Sequence, residues 1–307
     1  MEMIKLNRNK ELLTGIKGTV LFNEPLRNHT TLRIGGPADI LVIPKDLDDI
    51  KYCIAYAQER RMPLYFIGNG SKLLISDKGL QGIVLKIAGT LDSVEVSGER
   101  IIAGAGCSLS KLIQIALQYN LAGIEFAAGI PGTLGGAIAM NAGTYLGSIS
   151  DVIISVAAMD PLNGSLHLLA RDDCCFGYRH SIFLKKRLII IKSEMKMKKG
   201  DQKDIREKIN ELIEKRKKTQ PLDMPNAGSI FKNPPGASAG KLIEMAGLKG
   251  VKRGGAQISE VHANFIVNLG NAKAEDVIFL IRLAQEKVKE KFNIALEPEI
   301  LLMGDFE

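Results

Sequence analysis

The order of segments in this sequence predicts a mixed α+β fold in two domains, from three observations. Short apolar runs of strand type come in groups separated by glycine turns, while stripes of helical period are few and far apart. A glycine-rich stretch, Gly123 to Gly143, fills the centre where a doubly wound sheet would continue its regular alternation. Pro221 and Pro225 then break a long basic helix, which marks a domain boundary, and 307 residues suit two domains.

Leu47, Ile50, Cys53, Ile54 and Ala57 share one helix face, which predicts a helix over Asp48 to Arg61. Leu64 to Ile67 is a short strand running into the turn Gly68-Asn69-Gly70. Ile83 to Ile87, Val94 to Val96 and Ile101 to Ala103 read as further strands. Ser108 caps a helix whose stripe is Leu109, Leu112, Ile113, Ala116 and Leu117. Beyond the glycine-rich centre, Val152 to Met159 and Leu188 to Met197 are strands, and Asp201 to Lys217 is a helix with Ile205, Ile209, Leu212 and Ile213 inward. The last third holds a helix over Ala239 to Ala246 closed by Gly247, and a strand at Phe265 to Val267. A long helix over Lys273 to Phe292 follows, then strands at Ile294 to Leu296 and Glu299 to Met303.

Composition removes several functional classes. Hydrophobic residues at 46% and charged residues at 24% exclude disorder, and no apolar run approaches the ~20 residues that span a bilayer. The start, MEMIKLNRNKELL, has no apolar core ahead of a small-residue cleavage site, so a soluble, cytoplasmic protein is expected. Four cysteines are too scattered for a disulfide framework, and neither they nor the four histidines have metal-ligand spacing. The net charge of +7 is concentrated: residues 196–218 carry ten Lys or Arg against five Asp or Glu. That run has no aromatic residue to stack on bases, which favours a solvated helix face over a nucleic-acid site. Its end, Lys215 to Lys218, could still attract a phosphorylated small molecule.

Two dinucleotide-like motifs, at Gly68 and Gly104, put Leu where the third glycine must lie close to its strand. The P-loop-like Gly236 to Leu242 is one residue short and lacks the metal-binding hydroxyl. What remains are two glycine turns, Gly68-Asn69-Gly70-Ser71 and Gly129 to Gly136, whose backbone N–H groups can cradle phosphate oxygens. Either turn alone reads as a tight connection; two in one domain point to a diphosphate-containing cofactor. Ser229, between prolines, is either a turn-capping residue or a proton donor to a strongly basic carbon. Glu299 is either an exposed charge at a strand end or a buried acid with a partner.

Together, Thr30 to Ala38, Gly68 to Ser71, Glu125 to Gly143, Tyr178 to Phe183, the Ser229 segment, Gly254 to Ser259 and Leu296 to Glu299 resemble the UDP-N-acetylenolpyruvoylglucosamine reductase family, over residues 20–304. The resemblance implies a flavin-binding domain of the vanillyl-alcohol-oxidase (PCMH) type over 31–197 and a smaller α+β substrate-binding domain over 198–307, with 1–30 as a lead-in. It implies FAD reduced by NADPH, hydride delivered from flavin N5 to the enolpyruvyl group of a UDP-sugar, and UDP-N-acetylmuramate as the product for peptidoglycan synthesis. It assigns proton donation to Ser229 and stabilisation of the enolate-like carbanion to Arg179 and Glu299; a Glu299 that shares this role as the protonated acid would have a raised pKa in a closed site. Cofactor contacts fall on Gly68, Asn69, Gly70, Ser71, Gly129, Ile130, Pro131, Gly132, Thr133, Gly135, Gly136 and Asn141. Substrate contacts fall on Tyr178, Lys217 and Asn233; no metal is implied. Two departures stand out. Lys72 occupies a position where the family more often has Asn, and no long tyrosine-bearing loop separates Arg179 from Ser229, as in the family's shorter branch. A related flavin oxidase would commonly carry a tethering histidine in the first phosphate loop, and Gly68 to Ser71 has none. A nucleotide-sugar or nucleic-acid binding module without catalysis is the other alternative.

Overall fold

The structure, a computed structural model, describes residues 13–306. Contacts divide the chain into two compact units. The first comprises the described residues up to Glu24, Asp39–Asn69 and Gln81–Ile213; the second comprises Pro25–Ala38, Gly70–Leu80 and the chain from Glu214 onward. The expected boundary at residue 198 precedes the basic helix, whereas the contact division falls inside it.

In the first unit, helix α1 (Leu47–Glu59) starts where the Asp46 carboxylate accepts the N–H groups of Asp48 and Asp49. Ile50, Cys53, Ile54 and Ala57 are buried, as their spacing predicts. The helix entry is pinned by a second carboxylate. Asp49 is buried and accepts backbone N–H groups from Lys17, Gly18 and Lys45 at 2.9, 2.9 and 2.7 Å. Leu64–Ile67 pairs in parallel with Leu80–Lys86, in a four-stranded sheet completed by Pro37–Ile43 and Thr19–Pro25. A five-stranded antiparallel sheet runs in the order Leu166–Ala170, Ile153–Met159, Ile189–Lys196, Arg100–Gly104, Val94–Ser97. Helix α2 (Leu109–Gln118) is capped by Ser108, whose Oγ accepts the Lys111 N–H at 3.1 Å. The glycine-rich centre contains one short helix, α3 (Leu134–Ala139), and α4 (Ile182–Lys186) follows the Tyr178 turn.

The basic helix is α5 (Gln202–Thr219), with Ile205 and Leu212 buried. In the second unit an antiparallel sheet runs in the order Asn226–Ser229, Phe265–Asn268, Ala256–Ile258, Lys252–Arg253. Its core also takes in Leu242 and Ile243 of α6 (Ala239–Met245) and Val277, Leu280, Ile281, Ala284 and Val288 of α7 (Ala274–Phe292). Leu301–Met303 pairs in parallel with Leu73–Ile75.

Three expectations are corrected here. Ile294 to Leu296 forms no strand: Leu296 is buried, and its carbonyl accepts from the Gln285 side chain at 2.9 Å. The final strand starts at Leu301, because the Glu299 and Ile300 N–H groups turn to the Ile230 carbonyl at 2.7 and 3.3 Å. Strands at Thr19–Pro25 and Pro37–Ile43 were not expected from their sequence.

Candidate active site

Within the first unit, Gly68 of the first glycine turn lies against Thr133 of the second. A Cβ built on Gly68 would lie 2.6 Å from Thr133 Oγ1, so the backbone of one turn rests directly on the other. Thr133 is held by its own work as an N-cap: its Oγ1 accepts the Gly136 N–H at 3.2 Å and starts α3. Gly70 has φ +64, and a Cβ there would meet the His29 carbonyl oxygen at 2.2 Å, so only glycine fits. The second turn is pegged to residues 104–109 by three backbone bonds: Leu109 N–H to Gly132 O, Leu134 N–H to Cys107 O and Gly135 N–H to Ala105 O. Among the described residues, the N–H groups of Gly129, Gly132 and Thr133 have no acceptor within the protein. Backbone N–H donors in a glycine turn of this kind fit a diphosphate.

At the end of the glycine-rich stretch, buried Asn141 adopts φ +43. Its Nδ2 donates to the Gly177 carbonyl at 2.9 Å and its Oδ1 accepts the Ser150 N–H at 3.1 Å, so its side chain braces the next functional turn. That turn is closed by mutual backbone bonds between Gly177 and His180, with Tyr178 and Arg179 at its tip. Ser181 Oγ donates to Ala139 O at 2.6 Å and fixes the turn to the end of α3. Arg179 has φ +53, donates from Nη2 to the Gly143 carbonyl at 2.9 Å, and lies 5.1 Å over the Tyr178 ring. Tyr178 itself is 55% exposed.

In the second unit Ser229 ends the strand Asn226–Ser229, opposite Phe265. The Asn226 side chain sets this strand by donating to Pro221 O and Met224 O and accepting from Gly228 N–H, each at 2.9 Å. Glu299 is the buried acid of the two readings, 8% exposed, and its partner is Lys72 at 2.8 Å. Glu299 Oε1 faces the Lys72 ammonium in this pair. The same Lys72 Nζ donates to the Ser229 carbonyl at 2.6 Å. Ser229 and Glu299 are thus brought to one side chain that sequence reading had noted only for its glycine turn. The missed signal was chemical: a buried carboxylate needs a cation.

The proposed substrate contacts are placed separately. Lys217 lies on α5, in an exposed ion pair with Glu214 at 2.7 Å. Asn233 Oδ1 accepts the Ala239 N–H at 3.0 Å at the start of α6. Between Arg179 and Ser229 the described residues form α4, Ile189–Lys196, Lys198–Lys199 and α5 with short connections. Burial pushes the Cys53 thiol up to about 12 and the Cys174 thiol up to about 11, so neither is a nucleophile near neutrality. No described group of three or more His, Cys, Asp or Glu could hold a metal ion, and no described helix is long and apolar enough to cross a membrane.

Residues 38–169 match the model of the FAD binding domain family, and residues 220–303 match UDP-N-acetylenolpyruvoylglucosamine reductase, C-terminal domain. The chain is 46% identical over 305 residues to UDP-N-acetylenolpyruvoylglucosamine reductase of Caldanaerobacter subterraneus subsp. tengcongensis, covering 99% of this chain and 100% of that one. The chain belongs to the UDP-N-acetylenolpyruvoylglucosamine reductase family. The Bacillus pumilus reductase is 43% identical, over 97% of this chain and 99% of its own length. The crystal structure of UDP-N-acetylenolpyruvylglucosamine reductase from Thermus caldophilus matches with TM-score 0.80 at 36% identity, over 94% of this chain and all of that one. As a member of this reductase family the chain is an oxidoreductase and a flavoprotein, α+β in class, with an FAD-binding domain of the PCMH type.

Proposed function

We propose that the chain is an NADPH-dependent reductase that converts the enolpyruvyl ether of UDP-N-acetylglucosamine to UDP-N-acetylmuramate, a step of peptidoglycan precursor synthesis. The observation that carries this reading is the joining of Ser229 and buried Glu299 through Lys72, in a chain related to such reductases over nearly its whole length.

The Gly68 to Ser71 and Gly129 to Gly136 turns would hold the diphosphate of FAD, with Asn141 keeping the second turn in register with Arg179. When bound, FAD supplies hydride to the enolpyruvyl double bond, with NADPH as the source of the electrons. Charge then builds beside the substrate carboxylate. Arg179, already oriented by the Gly143 carbonyl, clamps that carboxylate as the charge grows. Ser229 donates its hydroxyl proton to the carbon, a weak acid matched to a strongly basic acceptor. Glu299, paired with Lys72, lines the site with Ser229 and shares in stabilising the charge that Arg179 clamps. Tyr178 offers an exposed ring and hydroxyl at the same turn as Arg179. Lys217 can exchange its exposed Glu214 partner for the substrate's diphosphate with little loss, since solvent and salt screen a surface pair. Asn233 contacts the sugar.

Replacing Ser229 tests the reading. Ser229→Ala should keep NADPH-driven flavin reduction within about twofold and lose about 100-fold or more in re-oxidation by the enolpyruvyl substrate, within the range of a lost general acid. An equal fall in both half-reactions, or none in either, contradicts the role.

A further inference from the structure

We propose that Lys72 is a positioning residue, one ammonium that fixes the Ser229 carbonyl and the Glu299 carboxylate relative to each other. This rests on the reductase reading above and deepens it.

Ser229 faces Phe265, but Phe265 directs its own N–H to His262 O and its carbonyl to Ser259 N–H, each at 2.9 Å. The ladder therefore supplies no donor for the Ser229 carbonyl. Lys72 supplies it at 2.6 Å and reaches Glu299 Oε1 at 2.8 Å from the same nitrogen. Gly228, at φ +70, lies alongside: a Cβ there would be in ordinary contact with Lys72 Nζ at 3.7 Å. The lysine backbone takes part as well, its carbonyl accepting the Leu301 N–H at 2.9 Å, while Glu299 N–H goes to Ile230 O at 2.7 Å. The segments carrying Lys72, Ser229 and Glu299 are thus cross-tied at backbone and side chain. Lys72 is 19% exposed, so its charge is screened less than at the surface. An ion pair that served stability alone would need only the carboxylate. Contact with the carbonyl of the proton donor adds a constraint on where the Ser229 hydroxyl points.

The test is Lys72→Met, which keeps length and removes charge, read on each half-reaction of the FAD-loaded enzyme by stopped-flow absorbance. The expected result is flavin reduction by NADPH within about twofold of wild type. Re-oxidation at saturating UDP-N-acetylglucosamine enolpyruvate should be slowed about 10- to 100-fold, the size of effect that misplacement of a reacting group produces. Lys72→Arg should recover most of that loss. Should the methionine variant fail to fold, Lys72→Gln, a neutral donor, is read the same way with the same expected direction. Unchanged re-oxidation in the neutral variant overturns the proposal, as does an equal fall in both half-reactions. A wild-type flavin that the substrate does not re-oxidise overturns the reductase reading itself, and the positioning role with it.

Discussion

Gly68 illustrates how a single position couples fold to cofactor. Any side chain there must displace the Thr133 hydroxyl, 2.6 Å from the missing Cβ, and that hydroxyl caps α3 through Gly136. Gly68→Ala should therefore lose about 1 kcal/mol of stability as the cap loosens. Isothermal titration should find FAD affinity lowered on the order of tenfold, equivalent to about 1.4 kcal/mol. Unaltered FAD affinity would mean that the two turns do not form one phosphate cradle. At this scale residue types were legible and partners were not. Ser229, Arg179 and Glu299 were assigned by the resemblance to the reductase family; their chemistry suits a developing carbanion but by itself left Ser229 and Glu299 each with two readings. The Lys72–Glu299 pair could not be picked out, because its members lie more than two hundred residues apart and no local pattern links them.

Elements were readable where a period was uninterrupted. The stripes of α1, α2, α5 and α7 gave helices with ends within one or two residues of those observed. Thr19–Pro25 was not readable because Asn23 takes φ +53 within it and breaks the alternation. The error at Ile294 to Leu296 has the opposite cause: the run is apolar because Leu296 is buried beneath α7, not because it joins a sheet. The α1 entry offers a quantitative check. Asp49 satisfies three backbone N–H groups while itself buried, so Asp49→Ala leaves three donors without an acceptor. A loss of about 1–3 kcal/mol is expected in urea unfolding, since the three donors are only partly shielded from water and a fully buried donor without a partner costs about 1–3 kcal/mol. A loss under about 1 kcal/mol would show that water replaces the carboxylate there.

The whole molecule carries its proposed chemistry on two compact units, with Arg179 on the first and Ser229 and Glu299 on the second. Family membership spans both units, from the FAD binding domain match to the C-terminal domain match. Short segments at Pro25–Ala38 and Gly70–Leu80 belong to the second unit although they precede most of the first in sequence. Reading along the chain could not find this, since a linear boundary has no place for returning segments. The same returning segment carries Lys72, which meets Ser229 and Glu299. The central claim, that this chain is a flavin reductase of an enolpyruvyl nucleotide sugar, is tested most directly by the visible spectrum of the FAD-loaded protein under anaerobic conditions. The flavin absorbance should bleach on adding NADPH and return on adding UDP-N-acetylglucosamine enolpyruvate, with UDP-N-acetylmuramate formed in equal amount. A flavin that NADPH cannot bleach, or that stays bleached when the substrate is added, would contradict the account.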